Sequence, residues 1–283
     1  MTAQDSRPPA GSAIHTPSAN KIDGVLRANN VSYAIRGIPL LNSVDFVVAA
    51  GSVTAIIGPN GAGKSTLLAV LAGDLKSDTG SVEINGAPLD SFTANELARQ
   101  RSVLLQQSAV AFSYTVREIV AMGRSAWSSR DAADLDDSIV ERALFQTDTT
   151  HLAHRDVTTL SGGEQARAAL ARVIAQSSPI VLLDEPTAAL DIAHQESVLE
   201  LAGSLAHAGG AVTIVLHDLD AAATHADHVV VMRGGAVVAA GPPAEVMTSE
   251  ILSEVYAHPI HVVTHPVTGR PVVIPSRKRF GSQ

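Results

Sequence analysis

Short, mostly apolar runs of strand length recur along the chain and alternate with segments of helical spacing. Residues 53–57, 180–183 and 211–216 are such runs, and they are typical of strands in a parallel sheet covered on both faces. Residues 65–71 and 192–207 have the character of helices, with apolar positions of the second recurring at helical spacing. This alternation of strands and helices predicts an α/β fold with right-handed crossovers.

Two other regions depart from this alternation. Residues 25–35 and 44–48 alternate in the manner of a small β region, whereas residues 93–175 are helix-like almost throughout, with strand character only around 103–105. Within the helix-like region, we expect an acidic cluster to form a solvated helix face. Its members are Asp131, Asp134, Asp136 and Asp137.

The end of the chain carries a turn signal. Residues 228–232 and 236–240 flank Gly234 and Gly235, and this pattern predicts a β-hairpin. Beyond it, residues 276–283 are expected to form a C-terminal tail.

The N-terminal 22 residues read as a disordered tail. They are rich in Pro, Ser, Ala and Thr, and they contain no apolar run of signal-peptide length. One domain is therefore expected over residues 23–275, with its helical part at about 93–175. No stretch approaches the roughly 18 consecutive apolar residues that a membrane-spanning helix needs, so none is predicted.

Composition narrows the possible chemistry. The 283 residues are 46% hydrophobic, which is enough to bury a core, and none of them is cysteine. A disulfide framework, a thiol nucleophile and a cysteine-ligated metal are thereby excluded. The net charge of −8 disfavours direct binding to nucleic acid or to anionic lipid. Any role at a membrane is therefore expected to run through a protein partner.

A glycine-rich motif follows the first predicted core strand. Residues 58–66 match the pattern G-x-x-x-x-G-K-[ST], between a strand and a helix as phosphate binding requires. Glycines let the backbone turn its N–H groups inward, the helix N-terminus adds further donors, the lysine supplies charge, and the serine can ligate Mg²⁺. We predict a nucleotide site at Gly58, Pro59, Asn60, Gly61, Ala62, Gly63, Lys64, Ser65 and Thr66, which we call the phosphate loop.

Acidic residues and a histidine follow two other core strands. Asp184 and Glu185 come directly after residues 180–183, and His217 follows residues 211–216. Ligands of open α/β sheets bind at the carboxyl ends of the strands, so these side chains are expected to meet there. We predict that Asp184 holds Mg²⁺, that Glu185 polarises the attacking water, and that His217 contacts the γ-phosphate.

Residues 160–165, Leu-Ser-Gly-Gly-Glu-Gln, resemble the signature of the ABC transporter ATPase family. We call them the signature loop. The resemblance implies a P-loop NTPase (RecA-like) core with a small antiparallel β-subdomain and an inserted α-helical subdomain. It also implies ATP hydrolysis with Mg²⁺ in a head-to-tail homodimer. In such a dimer Ser161, Gly162 and Gly163 of one chain face the γ-phosphate bound by the other.

Other family elements match in order. The resemblance gives Gln106 the role of the glutamine that approaches Mg²⁺ and senses the membrane subunit, and it places Asp191 in the loop that contacts the shared site. Many members have Ser where this chain has Ala188. The family stacks adenine on an upstream aromatic residue, yet the usual position here is Ile35. Tyr33 faces the same side as Ile35 if the strand is regular, so either an aromatic or an apolar contact is open.

Segments outside these motifs resemble a narrower group. Residues 112–124, 190–195 and 264–271 are similar to ATPases that import iron–siderophore complexes, vitamin B12 and haem, and residues 187–190 and 241–246 look most like haemin-import ATPases. This implies two permease subunits, an indirect link to a substrate-binding protein, a place at the cytoplasmic face of the membrane, and no contact with the cargo. Siderophore or vitamin B12 import stays open, as do a soluble ABC ATPase of iron–sulfur cluster assembly and a non-hydrolysing interaction module.

Overall fold

A computed structural model describes residues 24–105, 113–127 and 133–276 of the chain. The predicted N-terminal tail at 1–22, nearly all of the tail at 276–283, and Gln106 lie outside the described residues. The proposed limits of the domain therefore stay predictions.

A six-stranded sheet lies at the centre of the described fold. All neighbouring strands are parallel except the hairpin pair at one edge. This confirms the predicted parallel α/β core and the predicted hairpin. In spatial order the strands are β10 (Ala236–Gly241), β9 (His228–Arg233), β3 (Ser52–Ile57), β8 (Ala211–Val215), β7 (Ile180–Asp184) and β6 (Arg101–Leu104).

A four-stranded antiparallel sheet forms the predicted small β-subdomain. Its order is β2 (Ile38–Ala49), β1 (Gly24–Ile35), β4 (Thr79–Ile84) and β5 (Ala87–Pro88). The sequence patterns indicated the first two strands and missed the last two.

Both faces of the central sheet are buried, because successive side chains of each strand point to opposite sides. In β3, Ala55 and Ile57 belong to one hydrophobic core, whereas Ile56 belongs to the other. The first core packs against α6 (Ile192–His207), α7 (Leu219–His225) and α9 (Ser249–Tyr256), and the short helix α8 (Pro243–Val246) borders it. The second core packs against α1 (Lys64–Ala72) and the antiparallel sheet. The sheet is thereby held rigidly, and the loops at its carboxyl edge are held with it.

The helical region has a core of its own. It is built by α3 (Val116–Met122), α4 (Ala133–Gln146) and α5 (Gly162–Ala175). The helix α2 (Ala94–Gln100) packs instead against the core shared with the antiparallel sheet, through Leu97.

The expectation of a solvated acidic face was wrong at Asp136, whereas Asp137 is well exposed and Asp131 lies outside the described residues. Asp136 does not lie on a freely solvated face, since its Oδ1 accepts a hydrogen bond of 2.7 Å from Arg124 Nε and its side chain is 20% exposed. Burial of the Arg124 side chain favours an anionic partner at this point. Asp137 pairs with Arg117 in a more exposed ion pair.

The described chain ends in a second hairpin, β11 (Ile260–Thr264) and β12 (Pro271–Pro275). It follows α9 and covers the first core through Ile260 and Val273. Across the parts of the chain that the structure describes, no helix combines the length and the hydropathy needed to cross a bilayer.

Candidate active site

The phosphate loop connects β3 to α1 and depends on its glycines. Gly58, Gly61 and Gly63 all have positive φ angles, at 149°, 77° and 97°. A Cβ atom on Gly58 would lie 2.2 Å from the Met232 carbonyl oxygen, so only glycine fits there. The hairpin turn between β9 and β10 supports the loop, since the N–H of Gly235 donates to the Ala62 carbonyl at 3.0 Å.

The lysine of this loop is buried beneath it. Lys64 is 5% exposed, and its Nζ donates to the carbonyl oxygens of Gly58 at 2.8 Å and Pro59 at 3.1 Å. Burial lowers the pKa of Lys64, while the negative charges of Glu185 and Asp184 oppose that shift. The N-cap Gly63 offers no side-chain acceptor to α1. Positive charge and backbone donors therefore meet at one point, and this arrangement binds phosphate.

Asp184 and Ser65 form a pair of oxygen donors beside the loop. Asp184 is the last residue of β7 and is 4% exposed, and its Oδ1 accepts a hydrogen bond of 3.2 Å from Ser65 Oγ. Burial raises the pKa of Asp184, against the lowering effect of the Ser65 hydrogen bond. A buried carboxylate next to a hydroxyl suits Mg²⁺, which prefers hard oxygen ligands. The donor set therefore fits that ion.

Glu185 and His217 form a second pair at the same edge. Their Oε1 and Nε2 atoms lie 2.5 Å apart. Glu185 has a φ angle of 50°, a left-handed conformation that non-glycine residues adopt at a cost, and its side chain is 12% exposed against 47% for His217. The unusual backbone turns the chain sharply at the end of β7, immediately after the buried Asp184.

The structure thus brings together five of the side chains predicted from sequence. Lys64 and Ser65 come from the phosphate loop, Asp184 and Glu185 follow β7, and His217 follows β8. Gln106, the predicted sixth member, lies outside the described residues.

The signature loop lies elsewhere in the chain. Ser161 caps α5 in a reciprocal box, in which its N–H and Oγ donate to Glu164 Oε2 at 2.7 and 2.8 Å and its Oγ accepts from the Glu164 N–H. A Cβ on Gly162 would meet no atom within 4 Å, and one on Gly163 would approach the Ala189 carbonyl at 3.3 Å. Within the described part of one chain, the hydrogen bonds of Ser161 are all local to α5.

Asp191 caps the neighbouring helix α6. Its Oδ1 accepts the His194 N–H at 3.0 Å and lies 2.7 Å from His194 Nδ1. The backbone hydrogen bond from His194 is the main cause that lowers the pKa of Asp191. Asp191 is exposed and fixed in place, at the start of α6.

Tyr33 lies half-buried in β1 and packs against the second core. Register shifts occur on both sides of it, so the regular strand that would align Tyr33 with Ile35 is not present. Ile35 is 45% exposed and is paired with Ile38, which is 65% exposed. An adenine contact by Tyr33 stays a prediction.

Sequence reasoning assigned no role to Gln165 and Gln195, which the structure places in equivalent positions. Each lies four residues after a helix N-cap and donates its amide to two carbonyl groups of the preceding loop. The shared spacing in residues 161–165 and 191–195, a capping residue followed by Gln, was the available signal.

Fold and site together define a P-loop nucleotide-binding protein, and comparison with known proteins narrows the class. A family model described as ABC transporter matches residues 41–188. The chain belongs to the ABC transporter family, and it is an ATP-binding ATPase of that family.

Two curated relatives share the name hemin import ATP-binding protein HmuV. The protein of Nocardia farcinica is 54% identical over 84% of this chain and 83% of its own length. That of Rhodococcus jostii is 49% identical over 89% and 86%. These similarities confirm the resemblance to the haemin-import group that the sequence motifs indicated.

Solved structures agree on the fold. A structure described as an inward-facing ABC transporter of proposed metal-chelate type matches with a TM-score of 0.77 at 28% identity, over 90% of this chain and 98% of the other. A bacterial ABC transporter cassette in dimeric form matches with a TM-score of 0.70 at 26% identity, over 77% and 98%. The predicted ABC ATPase fold is confirmed.

Proposed function

We propose that this ATPase powers the import of haem through a membrane permease. The observation that carries the ATPase part is the convergence of Lys64, Ser65, Asp184, Glu185 and His217 at one edge of the sheet. The name of the relatives that are 54% and 49% identical over most of their length supports haem as the cargo. Import of a ferric siderophore or of vitamin B12 is the alternative within the same class.

In this proposal the phosphate loop binds the triphosphate of ATP. Lys64 exchanges its two carbonyl partners for the β- and γ-phosphates, and the N–H groups at the start of α1 bind further phosphate oxygens. Ser65 and Asp184 would hold Mg²⁺, with Gln106 as a third ligand. When bound here, the ion would neutralise negative charge on the phosphate oxygens.

Glu185 and His217 act on the reaction itself. Glu185 orients and polarises the attacking water, and His217 leaves its present partner to contact the γ-phosphate. Most of the rate enhancement then comes from positioning and from charge stabilisation, as in phosphoryl transfer generally.

The signature loop completes the site of a second copy. Ser161, Gly162 and Gly163 lie at the exposed start of α5 and make no hydrogen bond to the phosphate loop of their own chain within the described residues. The dimeric form of a similar cassette supports a homodimer in which these residues reach the partner's ATP. Asp191 contacts the same shared site.

The dimer works at the cytoplasmic face of the cell membrane, bound to two permease subunits. It has no direct contact with cargo or nucleic acid, and a substrate-binding protein delivers the cargo from the other side. The family membership and the absence of a spanning helix among the described residues are consistent with a peripheral subunit.

Reconstitution tests this proposal. The chain and its permease are placed in liposomes, and phosphate release is measured together with uptake of haem, a ferric siderophore or vitamin B12. ATP-dependent uptake of haem alone is expected. Uptake of only the ferric siderophore, or of only vitamin B12, would identify that compound as the cargo instead of haem. Phosphate release without any copurifying membrane protein would favour the soluble iron–sulfur class, and absence of phosphate release would favour a non-hydrolysing module.

A further inference from the structure

Three glutamine side chains each donate hydrogen bonds to two backbone carbonyls. Gln165 Nε2 donates to the carbonyls of Val157 and Leu160 at 3.2 and 3.1 Å. Gln195 Nε2 donates to those of Thr187 and Leu190 at 3.1 and 3.0 Å. Gln176 Nε2 donates to Ala98 and Arg101. In all three cases the two carbonyls precede the glutamine in the chain. They lie five to eight residues before Gln165 and Gln195, and more than 70 residues before Gln176.

The loop held by Gln195 connects the catalytic edge to α6. It begins directly after Glu185 and ends at the N-cap Asp191. Its internal hydrogen bonds run from the Ala188 N–H to the Glu185 carbonyl at 3.3 Å and from the Leu190 N–H to the Thr187 carbonyl at 3.1 Å. Gln195 therefore ties the middle and the end of this loop to the body of the helix.

Gln195 is also close to the reacting groups. It lines a cavity of about 270 Å³ together with Glu185, Thr187 and His217. Its two hydrogen bonds go to the backbone of the loop that follows Glu185, so these bonds act on Glu185 through that loop.

Glu185 needs such support because its backbone conformation is strained. A non-glycine residue at a φ angle of 50° persists only when its surroundings over-determine it. On the N-terminal side, the parallel pairing of β7 with β8 holds Asp184. On the C-terminal side, the loop 186–190 performs that role, and the two hydrogen bonds from Gln195 fix this loop.

We propose that Gln195 is a positioning residue for Glu185: it fixes the loop after β7 and thereby holds the Glu185 carboxylate in its reactive position. This rests on the proposed function of Glu185. A shift of a catalytic group by about 1 Å costs on the order of 100-fold in rate, so loss of the brace is expected to lower kcat by about 10- to 100-fold. The phosphate loop is untouched, so KM for ATP is expected to stay unchanged.

Gln176 provides a matched control. Its amide also donates two hydrogen bonds to backbone carbonyls, yet it does so where β6 and β7 begin, at the edge of the sheet opposite Asp184. Gln195→Leu and Gln176→Leu each remove two donors at similar volume. Both are expected to lower the melting temperature, and only Gln195→Leu is expected to lower kcat.

The experiment measures melting temperature, kcat and KM for ATP on the full-length chain with its permease. Gln195→Arg retains N–H donors and is expected to recover most of kcat, whereas Gln195→Glu, which lacks them when ionised, is not. Adding Gln195→Leu to Glu185→Gln is expected to cause little further loss, because both act through one group.

Equal kcat losses from Gln195→Leu and Gln176→Leu would overturn the inference, as would additive losses in the double variant. If Gln195→Leu fails to fold, Gln195→Arg and Gln195→Glu supply the same comparison. A wild-type chain that releases no phosphate would contradict the proposed function instead, so the two failures are distinguishable.

Discussion

Two helix N-termini are expected to contact phosphate, and they are built in opposite ways. The helix α1 begins after Gly63, which has no side chain to cap it, and its first residue Lys64 is buried. The helix α5 begins after Ser161, which closes a capping box with Glu164. At the start of α1 no side-chain cap occupies the free backbone N–H groups, so they are open to a ligand. At the start of α5 the capping box already satisfies some of these N–H groups.

The two N-termini also differ in how far the rest of their own chain surrounds them. The phosphate loop is held at its base by the β9–β10 turn, by β2 and by the carboxylates at and just after the end of β7, and it is exposed at its tip, at Asn60 and Gly61, and at Ser65. The signature loop is exposed at Ser161 and Gly162, and Gly162 has free space where a side chain would be. In the proposed arrangement, the phosphate loop binds nucleotide with groups of its own chain, whereas the start of α5 meets a phosphate only when a second copy brings it.

The largest expected difference is in the free energy of unfolding when a glycine of each loop is replaced by alanine. Gly58→Ala is expected to lower the free energy of unfolding by about 3 kcal/mol or more, since backbone strain adds to a clash with the Met232 carbonyl. Gly162→Ala is expected to leave it unchanged or slightly higher, because alanine favours the helix. Chemical denaturation measures both, and equal destabilisation would contradict the contrast between an enclosed and an open loop.

Next comes the buried lysine. Lys64→Ala is expected to lower kcat by about 10²–10³-fold, because it removes a charge aimed at the phosphates inside a low-dielectric site. Lys76→Ala serves as the control, since Lys76 forms an ion pair with Asp90 in which both side chains are well exposed. Phosphate release is the measurement, and retention of full activity by Lys64→Ala would remove this residue from the proposed site.

A smaller effect is expected at the start of α5. Ser161→Ala is expected to cost about 1 kcal/mol of stability through loss of the cap, and to lower hydrolysis as well. Thr93→Ala removes the same type of capping box from α2 and is expected to cost similar stability without lowering hydrolysis. Comparable hydrolysis in the two variants would show that Ser161 is a cap alone. Mixing Ser161→Ala with Lys64→Ala chains tests whether one chain completes the site of the other.

The smallest effect is a pair of opposite pH dependences. Folding raises the pKa of the buried Asp184, so its ionised form destabilises the fold at neutral pH, and that cost fades as pH falls through the raised pKa. Asp184→Asn is therefore expected to raise the melting temperature at pH 7, by an amount that shrinks in acid. The hydrogen bonds from Ser161 lower the pKa of Glu164, so its contribution is present at neutral pH and is lost as pH falls through that lowered value. Glu164→Gln is expected to lower the melting temperature at pH 7 and to have little effect in acid, and parallel curves would contradict both assignments.

The features that could be predicted from the sequence are those that depend on residues close together in the chain. The phosphate loop lies between two adjacent elements, and the spacing of its lysine, serine and glycines was enough to predict their roles. The carboxylates after β7 and the histidine after β8 were predicted because parallel strands end at a common edge. The proposed roles of the signature loop came from family resemblance, since nothing in the local sequence indicates a contact of Ser161 with another chain.

What the sequence missed depends on distant partners. The need for glycine at position 58 comes from the Met232 carbonyl, far along the chain. The pairing of Asp136 with Arg124 is set by helix packing, and short strands such as β5 carry too little pattern to be seen. The bulges around Tyr33 arise from pairing of β1 with its neighbours, and periodicity does not report them.

The turn between β9 and β10 carries a consequence for biosynthesis. Gly235 donates to the Ala62 carbonyl and accepts from the N–H of Asn42, so it joins the phosphate loop to β2. A ribosome makes Gly63 long before it makes Gly235, and until then the loop lacks this support. The phosphate loop therefore gains this support only after the β9–β10 turn has been made, and we expect nucleotide binding during synthesis to follow that turn rather than the loop itself.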